Sequence, residues 1–255
     1  MSAQPAVDTG MTLVEHLTEL RKRLIICALA VLVGMLVGFI LYEWVFDFLI
    51  APYKDIATAD NAVVPGKLVV FDPLEGFSVR IKTSAYTGIA LAMPVILWQI
   101  WQFVTPGLYP HERRYAVPFV ASALVLFSLG AGLAYYTLPR ALDFLVNIGG
   151  DDLVTAFAPG KYFQLITYMM LAFGIGFEFP IVLIFLQMAG ILETETLRKG
   201  RRFAIVGILV LVAVITPSGD PISMLMLSVP MIIFYEVAIV AGRIITKRQA
   251  AKANA

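Results

Sequence analysis

Long apolar blocks constrain this chain more than any other feature of its sequence. They run over residues 24–44, 77–104, 115–138, 162–192, 203–215 and 222–242. A soluble domain would instead repeat its apolar residues at the helical or strand period along amphipathic elements. Hydrophobic residues make up 60% of the 255 residues and charged residues only 15%, which is too apolar for an ordinary soluble domain. The blocks predict an all-α integral membrane protein with six transmembrane helices.

The fifth block is shorter than the others. The first four blocks can cross a hydrocarbon core of about 30 Å, which takes roughly 20 helical residues. At about 1.5 Å per residue, block 203–215 reaches only about 20 Å. We therefore expect this helix to thin the bilayer beside it, or to be shielded by its neighbours.

The Lys and Arg residues give the orientation of the chain. One set of flanks carries 13 of the 19: Arg21, Lys22, Arg23, Arg113, Arg114, Arg198, Lys199, Arg201, Arg202, Arg243, Lys247, Arg248 and Lys252. The other side carries Lys54, Lys67, Arg80, Lys82, Arg140 and Lys161. Because cytoplasmic flanks are enriched in Lys and Arg, this split predicts that both termini are cytosolic. We divide the chain into an amphipathic N-terminal segment 1–23, a transmembrane domain 24–242 and a C-terminal tail 243–255.

Several function classes find no support in the sequence. The two histidines, His16 and His111, lie at predicted cytosolic ends, and no Ser/His pair, His/Asp cluster or phosphate-binding loop accompanies them. The one cysteine, Cys27, lies inside the first block, so we expect neither a disulfide framework nor a Cys-based metal site. The basic residues form short membrane-flanking groups, unlike a nucleic-acid-binding patch. The sequence therefore predicts no enzyme, no cofactor or metal, and no nucleic-acid partner.

Two acidic residues lie at predicted cytosolic ends of spans. Glu19 is on the polar side of an amphipathic stretch, residues 12–24, where an ordinary i,i+4 pair with Arg23 also explains it. Glu112 lies in the short turn 106–114, which two prolines and a glycine restrict. From the residues alone, the ion pair is the ordinary explanation of Glu19, and both acidic residues stay candidates for a functional role at the cytosolic face.

Glu178 differs from these because it lies near the middle of the fourth block. A charge at that depth costs about 3 kcal/mol on insertion scales. Its carboxyl either holds helices together through hydrogen bonds or serves function in a polar recess that a kink at Pro180 would open. Glu236 in the sixth block is a weaker second case.

Small residues recur at four-residue spacing in three blocks. The groups are Gly34 and Gly38, then Ser84, Gly88 and Ala92, then Ser128 and Gly132. Such spacing lets helix backbones approach closely in lipid. Packing within one chain explains these groups without an oligomer.

Four stretches, taken together, resemble the TatC family of twin-arginine protein translocases. They are EHLTELRKRL at 15–24, the proline-rich turn that ends in HERR at 111–114, AFGIGFEFP at 172–180, and Thr216 with Pro217. The resemblance covers roughly residues 12–243. It implies a cupped assembly of six helices with both termini cytosolic and with short fifth and sixth helices.

The resemblance also implies site residues. In the family, signal peptides with two adjacent arginines are recognised at the cytosolic face by a glutamate in the N-terminal motif and another in the first cytosolic loop. These map to Glu19 and Glu112, with Phe103 close to the second. The family often carries a partner-binding glutamine just inside the sixth helix, where this chain has Met224. Thr216 is the other candidate for that contact.

The resemblance further implies a core subunit of a translocase that exports folded proteins across the bacterial cytoplasmic (inner) membrane, using the proton gradient. Its partners would be the single-span TatA and TatB proteins, signal peptides, membrane lipids and further copies of the chain in a receptor complex. The alternative from another class is a proton-coupled solute transporter with Glu178 as its relay. Such a transporter is expected to show inverted repeats and broken helices in both halves, which we do not find in the sequence.

Overall fold

A computed structural model describes residues 13–56, 66–104, 116–148, 157–188 and 190–253 of the chain. The regular secondary structure in these ranges is helical. The helices are α1 (Leu13–Ile40), α2 (Tyr42–Ile56), α3 (Glu75–Val104), α4 (Ala116–Asn147), α5 (Pro159–Phe177), α6 (Phe179–Met188), α7 (Thr194–Lys199), α8 (Arg201–Ile215) and α9 (Pro221–Ala253). The all-α class predicted from the sequence is confirmed.

Five segments within the described ranges are long and apolar enough to cross a membrane. They are Val14–Ile40, Glu75–Phe103, Val117–Asn147, Pro159–Met188 and Pro221–Ile244. Helix α8 covers the fifth predicted block with 15 residues, which correspond to roughly 22 Å. The total of six crossings therefore requires that α8 also crosses the membrane, which stays a prediction.

The last helix corrects one expectation. A short sixth helix was expected, but α9 has 33 residues, so this expectation was wrong. The helix continues beyond its apolar part, and the residues that follow, which include Lys247, Gln249 and Ala250, are among the strongest helix formers. Helices α1 and α9 also run without interruption across the predicted boundaries at residues 23 and 242, so the domain division stays a prediction.

Helices α1 and α3 contact each other through a seam of small residues. A Cβ atom on Gly34 would lie 2.6 Å from the carbonyl oxygen of Gly88, and one on Gly88 would lie 2.5 Å from the amide nitrogen of Met35. A Cβ on Gly38 would lie 3.0 Å from the carbonyl oxygen of Ser84. Backbones this close exclude any larger side chain between them. The small-residue spacing of these two helices is therefore explained by packing within the chain.

The main core surrounds α5. Tyr162 and Phe173 of α5, with Leu138 and Leu142 of α4, are 1% exposed or less. Gly130 lets α4 approach α5, since a Cβ there would lie 2.4 Å from a backbone oxygen of α5. In lipid, such contacts stabilise the fold through close packing, because lipid tails are as apolar as the side chains themselves.

One end of the assembly is closed by α2 and by the segments that precede α3 and α5. The Tyr162 hydroxyl donates to the Leu49 carbonyl at 2.7 Å. The Glu75 carboxylate accepts a hydrogen bond from the Gly160 amide at 2.8 Å. Ala158, at the N-terminus of α5, makes no side-chain cap, so Glu75 takes that role from a distant part of the chain.

A second, smaller core lies toward the opposite end. It joins the last turns of α3, the first turns of α4 and helix α6 through Leu97, Trp101, Val120, Ala123 and Ile181. This packing fixes the end of α3 and the beginning of α4 beside each other. The candidate site lies at that end.

Candidate functional site

The first turns of α1 and the last turns of α3 meet around one guanidinium group. Arg23 donates from Nε and Nη2 to the same carboxylate oxygen of Glu19, Oε1. Its Nη1 donates to Gln102 Oε1 at 2.7 Å and, more weakly, to Gln99 Oε1 at 3.4 Å. A carboxylate from one helix and two amides from another thus surround a guanidinium.

The second oxygen of the Glu19 carboxylate is still available as an acceptor. Glu19 Oε2 is buried and has no hydrogen-bond partner among the described residues. An ionised carboxylate offers about four acceptor positions, and leaving a buried one unused costs about 1–3 kcal/mol. Glu19 therefore forms the i,i+4 pair expected from the sequence and also retains capacity for a second donor.

Phe103 lies against α1 at the same end. Its ring stacks on the imidazole of His16, with ring centroids 4.5 Å apart and an angle of 27° between the planes. His16 is one helical turn before Glu19. The structure thus brings two of the three predicted ligand-binding residues, Glu19 and Phe103, onto adjoining surfaces of α1 and α3.

Glu112, the third of these residues, lies outside the described residues. It belongs to segment 105–115, which joins the end of α3 to the beginning of α4. Its role in ligand binding together with Glu19 stays a prediction.

Glu178 lies in a different part of the fold, at the break between α5 and α6. Its backbone amide donates a hydrogen bond to the Ile175 carbonyl, three residues earlier, at 3.0 Å, so the last turn of α5 is tighter than an α-helical turn. The break follows from Pro180, which lacks the N–H that would continue the ladder. Within the described part of the chain, Glu178 Oε1 is buried without a hydrogen-bond partner. Glu178 is ten residues before the end of α6, or about 15 Å along the helix.

The two predicted partner-contact residues lie at the turn between α8 and α9. Thr216 is 4% exposed, and its hydroxyl donates to the Val212 carbonyl at 2.7 Å. Met224 packs partly buried against the main core. Their contact with a partner protein stays a prediction.

Two further polar side chains have structural partners. Glu236 forms an exposed ion pair with Arg201, 2.8 Å apart, which accounts for this acidic residue in the last span. Gln187 is buried, donates to the Ala238 carbonyl at 3.0 Å and accepts from Thr194 at 2.9 Å. It therefore ties α6, α7 and α9 together.

The family model described as TatC, Sec-independent protein translocase protein, matches residues 15–230. The chain belongs to the TatC family. The match runs from the first turn of α1 to the first ten residues of α9, and it contains every described residue of the site.

Individual relatives match nearly the whole length of the chain. The TatC protein of Frankia casuarinae is 40% identical over 97% of this chain and 70% of its own length. That of Aquifex aeolicus is 36% identical over 94% of this chain and 98% of its own. A crystal structure described as the twin arginine translocase receptor TatC is similar with a TM-score of 0.75, at 36% identity, over 91% of this chain and all of that one. These matches do not favour the alternative of a solute transporter.

Gln99 and Gln102 were not among the residues predicted from the sequence. They are three residues apart, so they share one face of α3, and they are the only amides among the aromatic residues that end the second block. Paired amides in that setting were the available signal for a polar site. Their partner, Arg23, could not be read from the sequence because it is 79 residues from Gln102.

Proposed function

We propose that this chain is the signal-peptide-recognising core subunit of a twin-arginine protein translocase. It binds the two adjacent arginines of a signal peptide at the end where α1 meets α3, and it supports export of the folded protein that follows. Glu19 and Glu112 supply the carboxylates, and Phe103 packs beside them. The names of its relatives, Sec-independent protein translocase protein and twin arginine translocase receptor, support this function.

One observation carries the proposal. The site already holds a guanidinium, that of Arg23, between a carboxylate of α1 and amides of α3. The same carboxylate has a second oxygen without a partner. The groups that coordinate the guanidinium of Arg23 are therefore groups that can coordinate an arginine of the ligand, and the second oxygen of Glu19 is a further acceptor.

The chemistry also accounts for selectivity. A guanidinium is planar, permanently charged and able to bind a carboxylate through two parallel hydrogen bonds. A lysine ammonium is a point charge without that fork. Carboxylates and amides arranged around a planar group therefore favour a pair of arginines over a pair of lysines.

The membrane arrangement is part of the proposal. Six helices, with α8 as the short fifth crossing, form a cupped assembly in the cytoplasmic membrane, and both termini are cytosolic. The distribution of Lys and Arg supports this orientation. The chain works in a receptor complex with further copies of itself and with TatA and TatB, and transport uses the proton gradient.

The test measures binding of a labelled peptide to the full chain in nanodiscs. We expect a peptide with two arginines to bind, and its two-lysine counterpart to bind at least about tenfold more weakly. We expect Glu19→Ala and Glu112→Ala each to weaken the arginine peptide by about tenfold or more, since a hydrogen bond to a charged group is worth about 1.5–3 kcal/mol.

Glu195→Ala is the matched control. Glu195 also forms an ion pair within one short stretch of helix, with Arg198 at 2.9 Å, but it is about half exposed and lies on α7. This variant is expected to bind like the original chain. Unchanged affinity in the Glu19→Ala, Glu112→Ala double variant would disprove the proposed site.

A further inference from the structure

Arg80 lies near the beginning of α3, at the end of the assembly opposite to the candidate site, and is held against two aromatic rings. Its guanidinium carbon, Cζ, lies 4.4 Å from the ring centre of Phe39, in the last turn of α1. It lies 5.0 Å from the ring centre of Tyr42, the first residue of α2. A guanidinium over an aromatic face is attracted by the electron-rich ring. The corner between α1 and α2 therefore fixes the position of a cation that belongs to α3.

The charge of Arg80 is not neutralised within the described part of the chain. The side chain is partly buried and forms no ion pair with a described residue. Its hydrogen bond to that part of the chain runs from Nη2 to the Phe39 carbonyl at 3.5 Å, which is at the limit for such a bond. Its Nε is buried without a partner there. A guanidinium has five N–H donors, so Arg80 keeps donors at Nη1 and Nη2 for a ligand.

The charge-free parts of two helices place Arg80 at the boundary of the hydrocarbon core. Residues 24–42, which include most of α1, and residues 83–104 of α3 contain no charged side chain. At about 1.5 Å per residue they reach roughly 28 Å and 33 Å, close to the core thickness of about 30 Å. Arg80 lies one turn before the second stretch, and Tyr42 ends the first. Both residues therefore lie at the level of the lipid phosphate groups of one leaflet.

A phospholipid carries at this level the group that Arg80 can bind. The planar guanidinium matches two oxygens of a phosphate through parallel hydrogen bonds. Toward the middle of the membrane, α1 offers an apolar surface for an acyl chain, since Leu36, one turn before Phe39, is 66% exposed. Phosphate and acyl chain of one lipid thus find their partners in the same order along the membrane normal.

Arg140, in the last turns of α4 at the same end of the assembly, shows what is particular to Arg80. Its Cζ also lies over an aromatic ring, 4.3 Å from the ring centre of Tyr136. However, Nη2 of Arg140 donates to the Tyr136 hydroxyl at 2.9 Å, and Nη1 donates to the Tyr136 carbonyl at 3.3 Å. Both terminal nitrogens of Arg140 are therefore used within its own helix.

We propose that Arg80, held by Phe39 and Tyr42, binds the phosphate group of a phospholipid in the leaflet at this end of the molecule. In the arrangement proposed above, this is the outer leaflet. The lipid neutralises a partly buried cation and strengthens the contact between α3 and the corner of α1 and α2. This inference does not depend on which ligand binds at the opposite end.

The first experiment measures lipid retention by native mass spectrometry of the full chain in detergent with added phosphatidylglycerol. We expect Arg80→Gln to weaken the tightest-bound lipid by about tenfold or more, since hydrogen bonds to a charged group are lost. Arg80→Lys keeps the charge without the fork and should also weaken it, by about threefold or more. Phe39→Leu keeps Arg80 and removes one ring, so a loss of about two- to fivefold is expected.

Arg140→Gln is the matched control, because it removes the same charge at the same end of the molecule. It should retain the lipid like the unaltered chain. Equal losses in Arg140→Gln and Arg80→Gln would show that the lipid responds to total charge, and this would overturn the proposal. If Arg80→Gln does not fold, Phe39→Leu and Arg80→Lys decide: unchanged retention in both overturns the site.

A second measurement begins with the unaltered chain and separates the possible sources of phosphate. Thermal unfolding in detergent is followed with phosphatidylglycerol, with diacylglycerol of the same acyl chains, and with inorganic phosphate. A ligand that binds only the folded chain raises its Tm. We expect phosphatidylglycerol to raise the Tm more than the other two, and Phe39→Leu to reduce this difference. An equal shift with diacylglycerol would assign the effect to acyl chains alone, and an equal shift with inorganic phosphate would assign the site to free phosphate. Either result would overturn the lipid site.

Discussion

At the residue scale, the site is a carboxylate that already has a cationic partner. Arg23 is 16% exposed at its side chain and takes one oxygen of Glu19 and the oxygens of two amides. These are the groups that a peptide arginine would use. Arg23 therefore competes with the ligand for these acceptors, and this competition lowers the affinity of the chain for the peptide.

Removal of Arg23 is expected to strengthen peptide binding. Arg23→Ala should raise the affinity for a two-arginine peptide by up to about fivefold, since an ion pair of this kind is worth at most about 1 kcal/mol. Peptide titration in nanodiscs measures the change. Arg198→Ala, which removes an ion pair on α7, serves as control and should have no effect. A weaker affinity in Arg23→Ala would show that Arg23 supports the ligand.

Glu178 is expected to act in transport, after recognition. Its carboxyl lies partly buried at a helix break, where inserting a charge costs roughly 3 kcal/mol, and one of its oxygens has no partner within the described residues. Glu178→Ala and Glu178→Gln should each lower export of a folded client to about a tenth or less. Peptide affinity should stay within about twofold. Export in cells and peptide binding in nanodiscs measure the two effects.

The Gln variant decides between the two roles of Glu178. If the carboxyl only joins helices, Gln keeps the hydrogen bonds and export continues. Export at the original rate in both variants would leave only that structural role.

At the element scale, the seam between α1 and α3 sets the distance between the two walls of the site. The contact is made by backbone atoms at Gly34 and Gly88, and both helices continue from it to the site without a break. Displacement of one helix at the seam therefore displaces Glu19 relative to Gln102. Hydrogen bonds of 2.7 Å do not tolerate a shift of an ångström.

Gly88→Val should weaken peptide binding although it lies far along α3 from the site. The new side chain would meet the backbone of Met35 at 2.5 Å, so the helices must separate. We expect about a tenfold loss of affinity, the value of one hydrogen bond to a charged group, with a lower thermal stability. Gly132→Val is the control because a Cβ there has nothing within 4 Å. Full affinity in Gly88→Val would show that the seam does not position the site.

The sequence predicted the elements better than it predicted their contacts. Apolar blocks of 20 residues or more have one stable solution in lipid, a helix, because every backbone polar group must be satisfied internally. The end of α9 was missed because the apolar block, which set the predicted bounds, ends near residue 242, whereas the Lys, Arg, Gln and Ala residues after it favour helix although they are not apolar enough to span. The bond between Arg23 and Gln102 depends on how α1 and α3 pack, and no local pattern encodes that packing.

At the scale of the whole molecule, the helices do not match one membrane thickness. The 15 residues of α8 reach roughly 22 Å, whereas the first span has 27 residues. The hydrocarbon core measures about 30 Å. In the proposed arrangement, where α8 is the fifth crossing, the molecule would meet the bilayer with a shorter helix at α8 than at α1.

A thinned bilayer is expected beside α8. A nanodisc map should show the lipid headgroup layers closer together there by several ångströms, up to the shortfall of about 8 Å. The bilayer beside α1 in the same map is the internal control and should have normal thickness. Insertion of five apolar residues into α8 should restore the thickness. Equal thickness beside α1 and α8 in the original chain would contradict the expectation.

The glycine seam also bears on how a bound peptide leaves. The two walls of the site, α1 and α3, contact each other backbone to backbone at the seam, and this contact sets the distance between them. Affinity then depends on how well the ligand fits this distance, and release by separation of the walls would require the glycine seam to open. The peptide would instead be displaced by exchange, as the guanidinium of Arg23 returns to Glu19 and takes back the acceptors that the ligand had occupied.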